Sequence, residues 1–325
     1  MLRSVIAGVD GSAESLAAAE WAAREAVRRG RPLRLVHAWG RSPHPPASVS
    51  ARTARRAEAG RVLRAAVARA ERACPGLRLL ETQVQGPAVT ALCRLAQDAD
   101  LLVLGRSGRR GVGGLLVGSV ARGVIDHTRC PVVLVRAGEG AAEEGAGRPG
   151  VGERPSERGP GREVVLGIDL GDPCDEVIGF AFDAARSRGC GLRAVHGWRD
   201  PSPLVLGPGE IGLLEDPRRE EAEWSGFLTA LLKVWRETYP DVPVVESVRK
   251  GNVAPRLLSA ARGAALLVVG HRLSGRPRTG SVTHAVMQHA DCPVALVPHF
   301  RSLARIGSWG PVGPCPSRSG RGTVT

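Results

Sequence analysis

Short apolar runs alternate with longer amphipathic stretches along most of the chain. Ser4 to Val9 (SVIAGV) is almost wholly apolar, the pattern of a strand buried on both faces. It ends at Asp10-Gly11-Ser12, where Ser12 predicts the N-cap of a helix with Leu16, Ala19, Ala23 and Val27 on one face, closed by Gly30. Leu33 to Ala38 predicts a second strand, and Arg41 to Ser50, with three prolines, a loop. A helix is expected over about Ala51 to Ala73, stopped by Cys74-Pro75-Gly76, then a third strand over Leu77 to Val84. Gly86-Pro87 starts a helix running to about Asp98. Leu101 to Leu104 is a buried strand, followed by a glycine-rich loop, a helix and a last apolar strand, Val132 to Val135. Five strands alternating with four helices predict an α/β fold, a parallel sheet with helices on both faces.

The pattern then repeats. VLGID (Val165–Asp169) echoes the first strand, and LRAVHGW (Leu192–Trp198) echoes LRLVHAW (Leu33–Trp39). Asp10 pairs with Asp169 and His37 with His196 at an offset of 159. Gly86 with Gly251 and Gly105 with Gly270 follow at 165, and Ser119 with Ser281 and Cys130-Pro131 with Cys292-Pro293 at 162. Offsets that change only in loops predict a tandem duplication. The predicted domains are residues 1–136 and 163–299. Between them 137–162 is Gly, Glu, Arg and Pro, read as a flexible linker, and 300–325 reads as a disordered tail.

Charge changes this picture only in part. The net charge is +13, of which residues 1–136 carry +12, while 163–299 carry −2. Arg supplies 43 of the 45 basic residues. Many (Arg52, Arg55, Arg56, Arg61, Arg64, Arg69, Arg72) share one predicted helix, where a solvated face is expected. No aromatics interleave with them as a single-strand nucleic-acid platform requires, which argues against nucleic acid as the partner. The seven cysteines show no metal spacing, and Cys130 and Cys292 read as small buried residues. Trp21, Trp39 and Trp198 read as packing residues. No apolar run approaches the ~20 residues of a membrane span, and the first strand follows Met1 too closely for a signal peptide. A reduced, cytoplasmic setting is the expectation.

The candidate chemistry lies in Gly105-x2-Gly108-x9-Gly118-Ser119, between a buried strand and a helix. Glycines let a backbone approach a ligand closely, and the first N–H groups of a helix lack intrahelical partners, so this arrangement can hold phosphate. Ser119 adds a hydroxyl, and Arg106, Arg109 and Arg110 are candidates to supply charge. The loop is neither a Walker A motif nor G-x-G-x-x-G. A tight connection with no ligand is the competing reading.

The spacing resembles the nucleotide-binding motif of the universal stress protein family, and both halves are similar to that family. The resemblance implies, for each half, a doubly wound five-stranded parallel sheet of order 3-2-1-4-5 with ATP at its carboxyl edge, Mg being left open. It implies adenosine contact at Asp10, adenine framing by the backbone at Val36 or His37, and a ribose–phosphate cradle at Gly105, Gly108, Gly118 and Ser119. The second half departs from the pattern. Asp169 persists as a candidate, but Leu273 stands in the place of the second glycine and the loop is three residues shorter. One nucleotide per chain, in the first half, is therefore expected, with binding by the second half through Arg272, Arg276 and Arg278 the alternative. His37 and His196 are read as satisfied histidines at strand ends.

These readings predict a nucleotide-gated stress-response regulator with at most slow hydrolysis, since no base or water-positioning group is evident. A nucleotide-free interaction scaffold and a slow ATPase or autokinase are the alternatives. The two halves are expected to pair as a pseudo-dimer through Val132–Val135 and Val294–Val297. A homodimer and an unidentified regulatory protein stay open as further partners.

Overall fold

The computed structural model describes residues 3–40, 49–106, 118–138, 163–198, 217–273 and 280–300. The expected linker (beyond 138) and tail (beyond 300) lie outside the described residues, as do Gly108, Arg109, Arg110, Arg276 and Arg278.

The first half runs β1 (Ser4–Gly8), α1 (Ala13–Arg28), β2 (Leu33–Trp39), α2 (Val49–Ala73), β3 (Leu79–Gln85), α3 (Ala88–Ala96), β4 (Ala99–Gly105), α4 (Ser119–His127) and β5 (Val132–Val135). The second runs β6 (Val164–Gly167), α5 (Asp175–Arg188), β7 (Leu192–Trp198), α6 (Pro217–Thr238), β8 (Val244–Lys250), α7 (Val253–Ala260), β9 (Leu266–Arg272), α8 (Ser281–His289) and β10 (Val294–His299). Each half is a parallel sheet of order 3-2-1-4-5, as expected. The two sheets join into one of ten strands, ordered β3-β2-β1-β4-β5-β10-β9-β6-β7-β8.

Only the central join is antiparallel, with Val294 opposite Leu134, Ala295 opposite Val133 and Leu296 opposite Val132. Physically, β5 (VVLV) and the first four residues of β10 (VALV) are apolar runs that would each leave an unpaired edge, and pairing them removes both edges. The layers on the two faces follow from the strands' double-sided burial. One core gathers Ala17, Trp21, Leu35, Leu63, Phe182 and Leu232 under α1, α2, α5 and α6. The other gathers Leu92, Val124, Leu134, Leu257, Val286 and Leu296 under α3, α4, α7 and α8.

Local chemistry sets the helix ends. The Ser12 hydroxyl accepts from the Ser15 N–H (3.2 Å), capping α1 as expected. Gly30 (φ +60°) and Gly189 (φ +59°), one repeat apart, take the left-handed conformation after α1 and α5. The arginines of α2 named above are all exposed, a solvated face, and Cys130 and Cys292 are buried. One expectation fails: Val27 is 55% exposed. Helix α1 instead buries Ala18, Ala19, Trp21, Ala22, Ala23, Glu25 and Ala26, because it is packed by the sheet, by α2 and by the second half on more than one side.

Charged pairs seal the halves together. Glu25 of α1 is fully buried and accepts from Arg29 (2.6 Å) and from Arg188 of α5 (2.7 Å). Burial alone would raise the Glu25 pKa, but Arg188, Arg29 and Arg28 bring it down to about 2. Arg188 also lies over the Trp21 ring, and Arg29 over Phe180.

Candidate functional site

In a doubly wound sheet the crevice opens at the carboxyl ends of the strands, where the order reverses. Here that place lies between β1 and β4, whose neighbours on the other sides are β2 and β5. A cavity of about 110 Å³ occupies it, lined by Asp10, Ser12, Val36, Ala38, Gly105 and Val120 among others. Three helices start around it. The first turn of α1 contributes Ser12 and Ser15, α3 contributes Ala88, and α4 contributes Val120. Neither α3 nor α4 has a side-chain cap at its first turn, so their leading N–H groups face the opening without one.

Asp10 is held as a carboxylate. Its Oδ1 accepts from the Ser12 N–H (3.0 Å) and the Ser12 hydroxyl (2.6 Å), while its own N–H donates to the Ser15 hydroxyl (3.2 Å). Burial pushes its pKa up. The bonds from Ser12 and Ser15, with His37 nearby, outweigh that and bring it below the ordinary value. Ser12 is the cap that the sequence predicts, while Ser15, the residue at the third position of the capped turn, carries no motif that marks it for the site.

Val36 lines the cavity. The next side chain, His37, follows strand alternation to another environment, where its Nδ1 meets the Val9 carbonyl oxygen at 2.7 Å. His196 repeats this contact with the Ile168 carbonyl (3.0 Å), but its buried Nε2 has no hydrogen-bond partner among the described residues, so it is satisfied at one nitrogen only. Gly105 lines the cavity too, but its lack of a side chain has a second cause. A Cβ there would sit 2.6 Å from the Glu14 carbonyl carbon and 2.7 Å from the Ser15 nitrogen, so the start of α1 already demands glycine. Gly118 differs: among the described residues nothing lies within 4 Å of where its Cβ would be, and both it and Ser119 are exposed at the mouth of α4.

Arg106 corrects the charge-based expectation that placed it on phosphate. Its side chain is 1% exposed and turns into the other half. There it donates to the carbonyls of Met287 (3.2 Å), Ala290 (2.8 Å) and Cys292 (2.8 Å). The end of α8 offers a converging set of unsatisfied carbonyls, a better partner for a buried guanidinium than a half-open cavity.

The second half has the equivalent cavity, and it is larger, about 570 Å³. Asp169, Asp172, Cys174, Gly270, Arg272 and His299 contribute to its wall. Asp169 repeats the turn of Asp10, accepting from the Gly171 N–H (3.0 Å). Arg272, however, is already paired with Asp172 (2.6 Å). Leu273 does not fill this cavity: its N–H donates to the His299 carbonyl (2.9 Å), prolonging the β9–β10 pairing. Among the described residues no group of three or more His, Cys, Asp or Glu side chains is arranged to hold a metal ion, and no helix is long and apolar enough to cross a membrane.

The model of the universal stress protein family matches the chain twice, over residues 1–136 and 161–298. A universal stress protein of Mycobacterium tuberculosis (strain H37Rv) is 33% identical over 306 residues, 90% of this chain and 96% of its own length. Another from Mycolicibacterium smegmatis is 33% identical over 307 residues, with the same shares covered. The crystal structure of a universal stress protein from Archaeoglobus fulgidus has the same fold, with a TM-score of 0.63 at 15% identity over 91% of this chain and 98% of that one. With its duplicated doubly wound halves, this chain belongs to the universal stress protein family in its tandem two-domain form.

Proposed function

We propose that the first half binds an adenine nucleotide, ATP in particular, and that the protein serves as a nucleotide-gated stress-response regulator whose hydrolysis is slow at most. The observation that carries this reading is the mouth of α4. Among the described residues Gly118 leaves open space and no side chain caps the helix, Ser119 is exposed, and the glycine spacing of the family leads into it. Such a helix start binds phosphate through its N–H groups and its dipole. The cavity beside it is smaller than the ~300–1,000 Å³ of most ligand sites. In this reading it takes the base and part of the ribose near Val36 and Asp10, while the phosphates lie outside it along Gly105, Gly118 and Ser119. Gly108, Arg109 and Mg, if it accompanies ATP, would belong to that outer part.

Cavity size favours a second reading, in which the second half binds a ligand as well. Its volume suits a nucleotide better than that of the first. We favour the first half because Arg272, the one arginine of the described second cavity, is neutralised by Asp172, and a further carboxylate, Asp169, lies in the same wall. Calorimetric titration of the full chain with ATP decides between them. One site per chain, lost in Gly108→Leu, supports the proposal. Two equivalent sites, or one that survives Gly108→Leu and is lost with Asp169→Ala, would move the function to the second half.

A further inference from the structure

We infer that the two halves read each other's occupancy through a crossed pair of strand-end side chains, so that nucleotide in the first cavity changes the second. This rests on the proposal that ATP binds the first half. Residue 106 directly follows Gly105 of that site, and its N–H is fixed to the Val135 carbonyl of β5 (2.8 Å). Its buried guanidinium then grips the carbonyl end of α8 at Met287 and Ala290, and the Cys292 carbonyl just beyond it. The other end of α8 is the wall of the second cavity, through Gly280, Val282 and Thr283. The Thr283 hydroxyl reaches the Gly270 carbonyl of β9 (3.4 Å). Helix α8 has nine residues, so it acts as a rigid rod of about 13 Å between the Arg106 grip and the second cavity.

The reverse path uses the residue one repeat later. His271 follows Gly270, which lines the second cavity, and its ring is buried. Its ring is in hydrogen-bond reach of the Ile125 carbonyl in the last turn of α4, with Asp126 and His299 of β10 as neighbouring titratable groups, while its Nδ1 is buried without a partner among the described residues. Helix α4 begins at Gly118 and Ser119, the proposed phosphate mouth. Each strand end that borders one cavity thus holds the carbonyl end of the helix that opens onto the other. Neither contact is exposed surface chemistry, and Arg106, packed and held by three fixed carbonyls, transmits a shift of its backbone instead of absorbing it. By linkage, a ligand that moves one strand end must then alter affinity at the other cavity, and the effect is reciprocal.

Hydrogen–deuterium exchange on the full chain, with and without saturating ATP, tests this. We expect exchange of the α8 amides from Val286 to Ala290 to change about fivefold or more on ATP addition, the lower end of ordinary coupling. In Arg106→Leu the change should vanish while calorimetry still shows ATP bound. Should that variant fail to fold, Arg106→Lys keeps the charge but reaches fewer of the three carbonyls, and the change should shrink. ATP bound with α8 exchange unaltered in the natural chain would overturn the coupling alone. So would an α8 response that persists in full in either variant. No ATP heat at all would overturn the nucleotide proposal and the coupling with it.

Discussion

The two cavities occupy the same place in two copies of one fold, yet each has kept a different half of what a ligand site needs. The first keeps the glycine spacing and an open helix mouth but encloses only about 110 Å³, while the second encloses about 570 Å³ and has lost the spacing. Their glycines show why. At Gly105 a side chain would strike the backbone of Glu14 and Ser15, which cannot move without shifting α1. At Gly270 it would meet the side chains of His299 (3.0 Å) and Val177 (3.4 Å), which can give way. The first site is closed in by helix backbone, the second by side chains. Packing alone therefore demands the glycine at Gly105 and does not demand it at Gly270, so identity of residue type does not separate a packing role from a binding one.

The largest expected effect concerns binding. Gly108→Leu, which copies Leu273, should remove ATP binding from the first half, since several charge-assisted hydrogen bonds at ~1.5–3 kcal/mol each are forfeited. The melting curve should not move. Unchanged ATP binding in calorimetry would make the loop a mere connection.

Next comes the seam between the halves. Glu25 has Ala184 as its counterpart one repeat later, so a single carboxylate serves arginines from both halves. Glu25→Ala leaves Arg188 buried without it and should cost about 3–5 kcal/mol in denaturant unfolding. The pH dependence has a definite sign. The Glu25 pKa falls from 4.5 unfolded to about 2 folded, so its contribution is present in full above 4.5 and is lost as pH falls towards 2. The variant should lack that part of the acid sensitivity.

The glycines themselves give a smaller contrast. Gly105→Ala should destabilise by about 1–3 kcal/mol through overpacking against α1, and Gly270→Ala by less than about 1. Equal losses in thermal melts would erase the distinction between backbone and side-chain walls. Smallest in stability is Gly118→Ala, at a φ of −60° and with no described atom within 4 Å of the added Cβ. It should change unfolding by no more than about 0.5 kcal/mol yet weaken ATP binding severalfold, because the added methyl stands where the phosphate approaches. An unaltered dissociation constant would take Gly118 out of the cradle.

Much of this molecule was legible in local pattern. The alternation of apolar runs and amphipathic stretches located the five strands of the first half, with ends displaced by up to two residues, as at β4, which begins at Ala99 and not Leu101. Ser12, Gly30 and the offsets between the halves are signals carried by single turns or by direct repetition, and the chain encodes them without reference to anything distant. What the pattern could not tell is where a charge goes once the strand ends. Arg106 stands beside a phosphate-type loop in sequence, but its partners are 181 to 186 residues away. Glu25 reads as one more polar residue of α1 until Arg188, 163 residues on, meets it. The sizes of the cavities are likewise absent from the motif, since they depend on how close a helix start comes to a strand end. Periodicity and capping are decided by neighbours within a few residues. The partner of a buried charge, and the space left at a sheet edge, are decided by which surfaces the second half brings against the first.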